Sequence, residues 1–222
     1  MIQFDHVRKK YPGGHEALKD VSFYLSKGEM AFLTGHSGAG KTTLLKLIAL
    51  IETASSGHVL FEQQNVLHIP LRKVPLLRRK IGVIFQNPML LGDRSVFQNV
   101  ALPLLVSGYS GPEISRRVRA SLDQVGLLSR EKANPVTLSG GEQQRVSIAR
   151  AIVSKPKVIL ADEPTGNLDP HLSREIMDLF VRFNSVGVTT LIATHDLELI
   201  KPLPFRHLEL NAGCMNETQT TS

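Results

Sequence analysis

A run of eight residues, Gly35-His-Ser-Gly-Ala-Gly-Lys41-Thr42, has the pattern G-x-x-x-x-G-K-[ST]. Glycines let the backbone curl so that its N–H groups point inward, and a helix beginning behind the curl adds a dipole favourable to an anion. The pattern therefore predicts a phosphate site, with Lys41 reaching the outer phosphates and Thr42 ligating Mg²⁺. A plain glycine-rich turn is the alternative, but the bare pattern arises by chance in roughly one chain of this length in a hundred.

Two adjacent carboxylates, Asp162 and Glu163, follow the apolar run Val158-Ile-Leu-Ala161. A carboxylate at the end of a buried strand can hold Mg²⁺ beside the threonine of a phosphate-binding loop. The second carboxylate can then orient or deprotonate an attacking water, as in other pairs that divide metal binding from general base work. A helix cap or an exposed acidic pair is the alternative, and the phosphate-binding pattern upstream favours the hydrolytic interpretation.

A third run, Leu138-Ser-Gly-Gly-Glu-Gln-Gln-Arg145, predicts the start of a helix. Ser139 and Glu142 have capping-box spacing, and Gly140 and Gly141 leave the first N–H groups of the helix open to an anion. Capping explains the serine and the glutamate but not the glycines, each of which costs about 1 kcal/mol relative to alanine. A nucleotide held by the first loop cannot also fill this helix terminus. The pattern therefore predicts a head-to-tail pair of chains, each covering the other's nucleotide.

These three runs, in this order, resemble the motifs of ABC-type ATPases, and the resemblance covers nearly the whole chain. It implies that Tyr11 stacks on adenine and that Gln86, after the apolar run 81–85, contacts Mg²⁺ or water. It also implies that Asp169 contacts the second chain and that His195 is the switch histidine at the γ-phosphate. A core or surface position is the alternative for Tyr11, and a structural role is the alternative for His195.

The resemblance implies ATP and Mg²⁺ as cofactors and assigns a role to each group of residues. The catalytic group is Glu163, His195, Lys41 and Gln86. The Mg²⁺ ligands are Thr42, Gln86 and Asp162. The nucleotide contacts are Tyr11, Gly35, His36, Ser37, Gly38, Ala39, Gly40, Lys41, Thr42, Thr43, Ser139, Gly140, Gly141, Glu142 and Asp169.

Within this family, the segments 28–41 and 93–100 are similar to the bacterial cell-division ATPases. That similarity implies a homodimer of ATPase subunits with an integral membrane partner resembling FtsX. It also implies a peripheral position on the cytoplasmic face of the inner membrane, at the division site. The chain departs from the usual pattern at Leu50 and Ala54, where relatives often carry Gly and Pro, and in a C-terminal stretch without the usual Asp-Gly turn.

Two other functions remain open. ATPases of lipoprotein-releasing exporters carry nearly the same motifs but have a different membrane partner, and sequence chemistry does not separate them from the cell-division type. A soluble ABC protein acting on DNA or ribosomes fits less well. Such chains typically carry paired ATPase domains or a long coiled-coil insertion, and neither fits into 222 residues.

The elements that position these residues are visible as periodic patterns. Segments 30–34, 158–161 and 189–193 are apolar throughout, which predicts buried parallel strands with the chemistry at their carboxyl ends. Helical spacing predicts helices over 43–51, 112–128 and 171–186, and the capped helix is expected to run from Ser139 to about Val153.

These elements, together with the resemblance, predict an α/β fold of the P-loop ABC ATPase type. Its parts are a mainly parallel core sheet, an antiparallel β-subdomain and an inserted α-helical subdomain. We expect one domain over 1–222, with the core at about 1–86 and 155–210 and the helical subdomain at about 87–154. The polar residues 211–222 are expected to form a flexible tail.

Composition is close to that of an average soluble domain, with 42% hydrophobic and 21% charged residues. There is no apolar run of the roughly 18 residues that a membrane span requires. The start of the chain lacks the pattern of a secretory signal, so a cytosolic location is expected. The net charge of +6 is scattered, and without an aromatic platform or nucleic-acid motif we expect no direct nucleic-acid partner. An anionic lipid surface remains compatible with this charge.

One apolar run has two open interpretations. Pro88-Met-Leu-Leu91 follows Gln86 and precedes the expected helical subdomain. Core packing is the simpler explanation, because most apolar residues are buried. The alternative is a docking segment for a helix of the membrane partner, since methionine and leucine suit a groove for an amphipathic helix.

Overall fold

The computed structural model describes residues 1–218. Its strands are β1 (Ile2–Lys10), β2 (Glu16–Leu25), β3 (Met30–Thr34), β4 (Ser56–Phe61), β5 (Gln64–Asn65), β6 (Ile81–Ile84), β7 (Val158–Asp162), β8 (Thr189–Ala193), β9 (Arg206–Asn211) and β10 (Cys214–Thr218). Its α-helices are α1 (Lys41–Ile48), α2 (Val74–Arg78), α3 (Val96–Val106), α4 (Gly111–Gln124), α5 (Gly140–Ile152), α6 (Pro170–Ser185) and α7 (Leu197–Ile200).

The larger sheet has six strands in the order β10-β9-β3-β8-β7-β6. The pairs β3–β9, β3–β8, β7–β8 and β6–β7 are parallel, and β10 runs antiparallel to β9. All residues of β3 and β8 are buried, as are the first four of β7. Strands without an exposed face are typical of a parallel sheet covered by helices on both sides, so the predicted α/β core is confirmed.

The second sheet is antiparallel, with the order β2-β1-β4-β5. Phe4 of β1 stacks on Phe23 of β2 with ring centroids 4.8 Å apart. Both rings belong to one hydrophobic cluster with Leu33 of β3 and Leu44 of α1. The implied antiparallel β-subdomain is therefore present, and its inner face packs on the core that carries the phosphate-binding loop.

Three helices, α3, α4 and α5, lie between β6 and β7 in the chain. Their buried residues Val100, Val118 and Val146 join one cluster with Phe180 of α6 and Phe32 of β3. Because this cluster runs without a break from the helices to the sheet, packing does not by itself mark the bounds 87–154, which stay a prediction. No helix within residues 1–218 combines the length and the apolarity that a bilayer crossing demands.

The turn that leads into α3 is organised by Asn99, a fully buried amide. Its Oδ1 accepts from the backbone N–H of Leu91 at 2.8 Å, and its Nδ2 donates to the carbonyls of Leu91, Arg94 and Ser95 at 3.0–3.2 Å. A buried amide with all of these partners stabilises one loop conformation, since leaving any of them unpaired costs about 1–3 kcal/mol. Asn99 therefore holds in place the segment that follows the glutamine at position 86.

The C-terminal hairpin differs from the sequence-based prediction of a flexible tail over 211–222. Cys214–Thr218 forms β10 and pairs with β9. Ala212 and Gly213 both have positive φ, 46° and 83°, as a two-residue turn of the primed kind requires. The prediction is wrong for 214–218, because polar composition does not prevent pairing with a strand already held in the sheet. Residues 219–222 lie outside the described part of the chain.

Candidate nucleotide-hydrolysis site

A cleft of about 640 Å³ opens at the carboxyl edge of the parallel sheet. The phosphate-binding pattern follows β3 and Gln86 follows β6. Asp162 ends β7, Glu163 comes directly after it, and His195 follows β8. Parallel strands bring these positions to one edge, although they are far apart in the chain. The cleft is lined by His15, Ala17, His36, Ser37, Gly38, Ala39, Gly40, Lys41, Thr42, Thr43, Gln86, Asp162, Glu163 and His195.

The phosphate-binding loop is shaped by glycines that touch neighbouring backbone. Gly35 has φ of 144°, and a Cβ there would lie 2.1 Å from the carbonyl oxygen of Leu210. Gly40 has φ of 107°, and a Cβ there would lie 2.5 Å from the carbonyl oxygen of Ala17. Gly40 is also the N-cap of α1 and provides no side-chain cap. The loop therefore requires glycine at both places, and the start of α1 faces the cleft as an anion site.

The side chain of Lys41 is buried and lies inside the curve of this loop. Its ammonium donates to the carbonyls of Gly35 at 2.6 Å and His36 at 3.2 Å. The same nitrogen lies 3.7 Å from Oε1 of Glu163. Lys41 thus places a positive charge between the loop and the carboxylate that follows β7.

Thr42 and Asp162 meet across the cleft, with the threonine hydroxyl donating to Oδ2 of the aspartate at 2.7 Å. Burial raises the pKa of Asp162 above its ordinary value, while the hydrogen bond from Thr42 and the charge of Lys41 act in the opposite direction. Because burial disfavours the ionised form of this carboxyl group, any cation that reaches it stabilises the ionised form. The hydroxyl and the carboxylate are together oxygen donors of the kind that Mg²⁺ prefers.

Glu163 has a strained backbone, with φ of 47°. Non-glycine residues adopt this conformation rarely, at a cost of roughly 1–3 kcal/mol, and it recurs at functional sites. Its N–H donates to the carbonyl of Ala193 at 2.9 Å, which ties the residue to the end of β8. Its carboxylate contacts His195 twice, with Oε1 2.9 Å from Nδ1 and Oε2 accepting from the backbone N–H at 3.3 Å. Strand β8 thus positions both members of the pair.

Gln86 is exposed and lines the same cleft. Its amide lies over Gly166, where a Cβ would approach Nε2 to 3.2 Å. A second opening of about 540 Å³ continues from Thr42 and Asp162 past Gln86 to Met89. The glutamine therefore stands between the Thr42–Asp162 pair and the segment after β6.

Tyr11 does not line the cleft, although it lies beside the loop. Its hydroxyl is 3.3 Å from Oγ1 of Thr43, and the ammonium of Lys9 lies 4.8 Å from its ring centroid. His15 and Ala17, by contrast, line the cleft and were not found by sequence reasoning. His15 directly precedes β2 of the antiparallel sheet and Ala17 is its second residue, and no motif links this strand to the phosphate-binding loop.

The predicted second phosphate site lies outside this cleft. Ser139 forms the predicted capping box, with its hydroxyl accepting from the N–H of Glu142 at 3.3 Å and its own N–H donating to Oε2 of Glu142 at 2.9 Å. A Cβ on Gly140 would meet no atom within 4 Å, whereas one on Gly141 would meet Leu172 at 2.9 Å. Gly140 thus faces open space, and close packing on α6 accounts for Gly141.

Asp169 is the N-cap of α6, and its Oδ1 accepts from the N–H groups of His171 at 2.9 Å and Leu172 at 3.1 Å. The hydrogen bond from Leu172 lowers the pKa of Asp169 below its ordinary value. A helix-capping function therefore accompanies the dimer contact that the resemblance implies. Neither Ser139 nor Asp169 approaches the phosphate-binding loop within one chain closely enough to line its cleft.

Comparison with known proteins assigns the family. A family model described as ABC transporter matches residues 18–166. Solved structures with the same fold include the dimeric bacterial ABC transporter cassette MJ0796, with TM-score 0.89, 33% identity and 99% of both chains covered. The same cassette in a post-hydrolysis state bound to ADP and Pi matches with TM-score 0.89 and 32% identity, again over 99% of both chains. The chain belongs to the ABC transporter family, and it is an ATP hydrolase.

Its similarity to curated proteins is more specific. The chain is 58% identical over 213 residues to the cell division ATP-binding protein FtsE of Escherichia coli (strain K12), covering 96% of each chain. It is 47% identical over 214 residues to FtsE of Mycobacterium tuberculosis, covering 96% of this chain and 93% of that one. The predicted resemblance to the bacterial cell-division ATPases is thus confirmed.

The hydrogen bond between Thr42 and Asp162 can be tested by paired substitutions. Thr42→Val keeps the branched shape but removes the donor, so we expect the free energy of unfolding without nucleotide to fall by about 1 kcal/mol. This figure lies at the low end because Thr42 is exposed. Thr42→Ser keeps the hydroxyl and should retain most of that stability. Urea denaturation of both variants measures the difference, and equal stability of the two would contradict a contribution from this bond.

Proposed function

We propose that two copies of this chain hydrolyse Mg-ATP at composite sites and transmit the reaction to a membrane protein in bacterial cell division. The observation that carries this proposal is the cleft in which Lys41, the Thr42–Asp162 pair and the Glu163–His195 pair meet at one sheet edge. These groups match the needs of phosphoryl transfer, namely a phosphate cradle, a metal-binding carboxylate and a base for water.

The roles of the residues follow from their positions. The loop N–H groups, the start of α1 and Lys41 would bind the phosphates of ATP. Glu163 would accept a proton from the attacking water, because its carboxylate is fixed at the end of β7. His195, 2.9 Å from that carboxylate, would orient it and contact the γ-phosphate.

The donors in the cleft fit Mg²⁺. Thr42 and Asp162 would hold it, and Gln86 is the further oxygen donor in the same cleft. Within residues 1–218 there is no cluster of three or more metal-binding acidic, histidine or cysteine side chains. Magnesium commonly takes one or two protein ligands and completes its shell with waters and phosphates, so this small set is sufficient. When bound, the ion would neutralise charge on the phosphates.

The composite arrangement is supported by the open helix terminus at Ser139 and Gly140. Neither Ser139 nor Gly140 lines the cleft of its own chain, and a Cβ on Gly140 would meet no atom within 4 Å, so this terminus is open to an anion bound by a second chain. MJ0796, with nearly the same fold, is a dimer. We therefore assign Ser139, Gly140, Gly141, Glu142 and Asp169 to contacts with the nucleotide bound to the partner copy. Tyr11, which lies beside the loop with its hydroxyl 3.3 Å from Oγ1 of Thr43, is assigned to adenine on the family resemblance.

A groove of about 760 Å³ between the sheet edge and the inserted helices is the surface that we assign to the membrane partner. The partner would be an integral membrane protein resembling FtsX, placing the ATPase peripherally on the cytoplasmic face of the inner membrane at the division site. The names of the FtsE relatives support the cell-division part of this assignment. Residues lining the groove include Ile51, Phe85, Leu102, Pro103, Val106 and Arg150.

The run Pro88–Leu91 lies next to this groove. Some of its residues fit core packing, and others fit a docking segment. Leu90 is half-buried and packs on the main hydrophobic cluster, whereas Leu91 is 44% exposed and Met89 is exposed. The guanidinium of Arg150, which lines the groove, donates to the carbonyls of Pro88 at 2.5 Å and Met89 at 3.0 Å. A helix docked here would therefore touch the segment that leads back to Gln86.

Glu163→Gln tests the assignment of the base. The amide keeps the size of the side chain but cannot take a proton, so turnover should fall by about 10²- to 10⁴-fold while ATP binding is retained. Trapped ATP should also hold two chains together. The rate of phosphate release measures turnover, nucleotide titration measures ATP binding, and size-exclusion chromatography with Mg-ATP measures the association of two chains. Glu198→Gln, the same change at an exposed carboxylate, is the control, and normal turnover by Glu163→Gln would refute the assignment.

Mixing two inactive variants tests the composite site. Ser139→Arg places a bulky cation at the partner's phosphate, and Lys41→Ala weakens the chain's own phosphate site, so each alone should be nearly inactive. In a mixed dimer, one site combines an intact loop with an intact Ser139, so activity should return. A chain with both changes, mixed with Ser139→Arg, has no intact pair and is the control. Absence of recovery from a mixture that forms dimers would rule out composite sites.

Substitutions beside the groove test partner docking. Leu91→Asp should abolish co-purification of a co-expressed FtsX-type membrane protein without changing the melting temperature or ATP binding, because its side chain is exposed. Leu90→Asp should instead lower the free energy of unfolding by about 1–3 kcal/mol, since its half-buried side chain packs on the core. Val186→Asp, on an exposed valine at the end of α6, is the matched control. Normal capture by Leu91→Asp with an unchanged melt would exclude docking at this residue.

A further inference from the structure

The chain between Glu62 and Asp93 contains no acidic residue. Within it lies Leu71–Arg79, which we call the basic segment: a 3₁₀ turn over Leu71–Lys73 followed by α2. Its cations are Arg72, Lys73, Arg78 and Arg79. Four cations over nine residues with no acid nearby in the chain form a strongly positive surface, which the hydrolytic site does not use.

The positive charge of this segment is not neutralised within residues 1–218. Arg72 and Lys73 are exposed and have no side-chain hydrogen bond or ion pair there. Arg78 and Arg79 donate to neutral carbonyls, those of Leu50 at 2.7 Å and Val106 at 3.4 Å, so both keep their charge. The adjacent Lys80 does not belong to the surface, because it pairs with Glu62 at 2.6 Å. The four cations therefore remain available to an anionic partner.

Two leucines of the basic segment are exposed among these cations. Leu71 is 89% exposed and Leu76 is 56% exposed, whereas Leu77 of the same helix is buried in the core. A single exposed leucine needs no explanation, but two within six residues, flanked by four unpaired cations, form a surface that is both apolar and positive. This combination suits a membrane interface, where cations meet lipid phosphates and short apolar side chains enter the layer below.

We propose that the basic segment binds the anionic phospholipid surface of the membrane directly, with Arg72, Lys73, Arg78 and Arg79 on the headgroups and Leu71 and Leu76 inserted. Nucleic acid fits less well, because the segment has no aromatic side chain on which bases could stack. The position of the segment also favours lipid. Pro75, Arg78 and Arg79 line the groove assigned to the membrane partner, so both surfaces belong to one face of the molecule.

Lipid binding is tested with the purified full chain and protein-free vesicles, so that no membrane partner is needed. The chain should co-sediment with vesicles of mixed phosphatidylglycerol and phosphatidylcholine but not with pure phosphatidylcholine, and high salt should release it. Each basic residue near such a surface contributes about a fivefold gain in partition, so Arg72→Glu/Lys73→Glu should weaken binding by at least about tenfold. Leu71→Ser/Leu76→Ser should weaken it at constant charge.

Matched variants separate this site from general charge. Lys27→Glu/Lys132→Glu makes the same change in net charge at exposed lysines elsewhere, and Val186→Ser removes an exposed valine outside the segment. Both should bind vesicles like the original chain, and all variants should keep its ATPase rate. Three outcomes would overturn the proposal: equal binding to neutral vesicles, equal weakening by the lysine control, or binding of single-stranded DNA through Arg72 and Lys73 without vesicle binding.

Discussion

The hydrogen bond from Thr42 to Asp162 joins two residues 120 positions apart and defines the geometry of the whole site. It can form only if β3 and β7 lie in one parallel sheet with their carboxyl ends together, and β8 lies between them. Parallel strands need long crossover connections, which explains why the inserted helices fit into the chain without disturbing this edge. The sheet order therefore determines which side chains meet in the cleft.

Strain at Glu163 adds a second dependence on the sheet. Its left-handed backbone is unfavourable in isolation and is held by the hydrogen bond from its N–H to Ala193 at the end of β8. That strand also delivers His195, so the acidic and imidazole groups are positioned by the same element. Such strain persists only where contacts with the surrounding structure hold the strained conformation in place. Here that conformation directs the carboxylate of Glu163 toward the buried ammonium of Lys41.

Helix α5 connects the two kinds of surface on this molecule. At its start, Ser139 and Glu142 form the capping box, and Gly140 faces open space. Near its other end, Arg150 binds the carbonyls of Pro88 and Met89, beside the groove and close after Gln86 in the chain. One helix therefore joins the groove to the capping box at Ser139, and neither lines the cleft at the sheet edge.

Much of this architecture could be predicted from sequence, because it depends on local patterns. The apolar strands at 30–34, 158–161 and 189–193 lie where uniform hydrophobicity placed them, and the capping box at Ser139 follows from spacing within a single turn. The loop at 35–42 could be recognised because its backbone needs glycine wherever its chain curls. The resemblance to a known family then predicted that these patterns contribute to one site.

Tertiary structure alone decided the features that depend on which distant segments touch. His15 and Ala17 line the cleft because the antiparallel sheet packs beside the loop, and no sequence pattern predicts that contact. The polar strand β10 exists because β9 offers it an edge, and Gly141 is explained by Leu172 of another helix. Likewise, Leu90 and Leu91 are adjacent and alike in the sequence, yet one packs on the core and the other faces solvent. Local pattern determines what a segment can form, whereas burial and contact depend on neighbours that only the folded chain supplies.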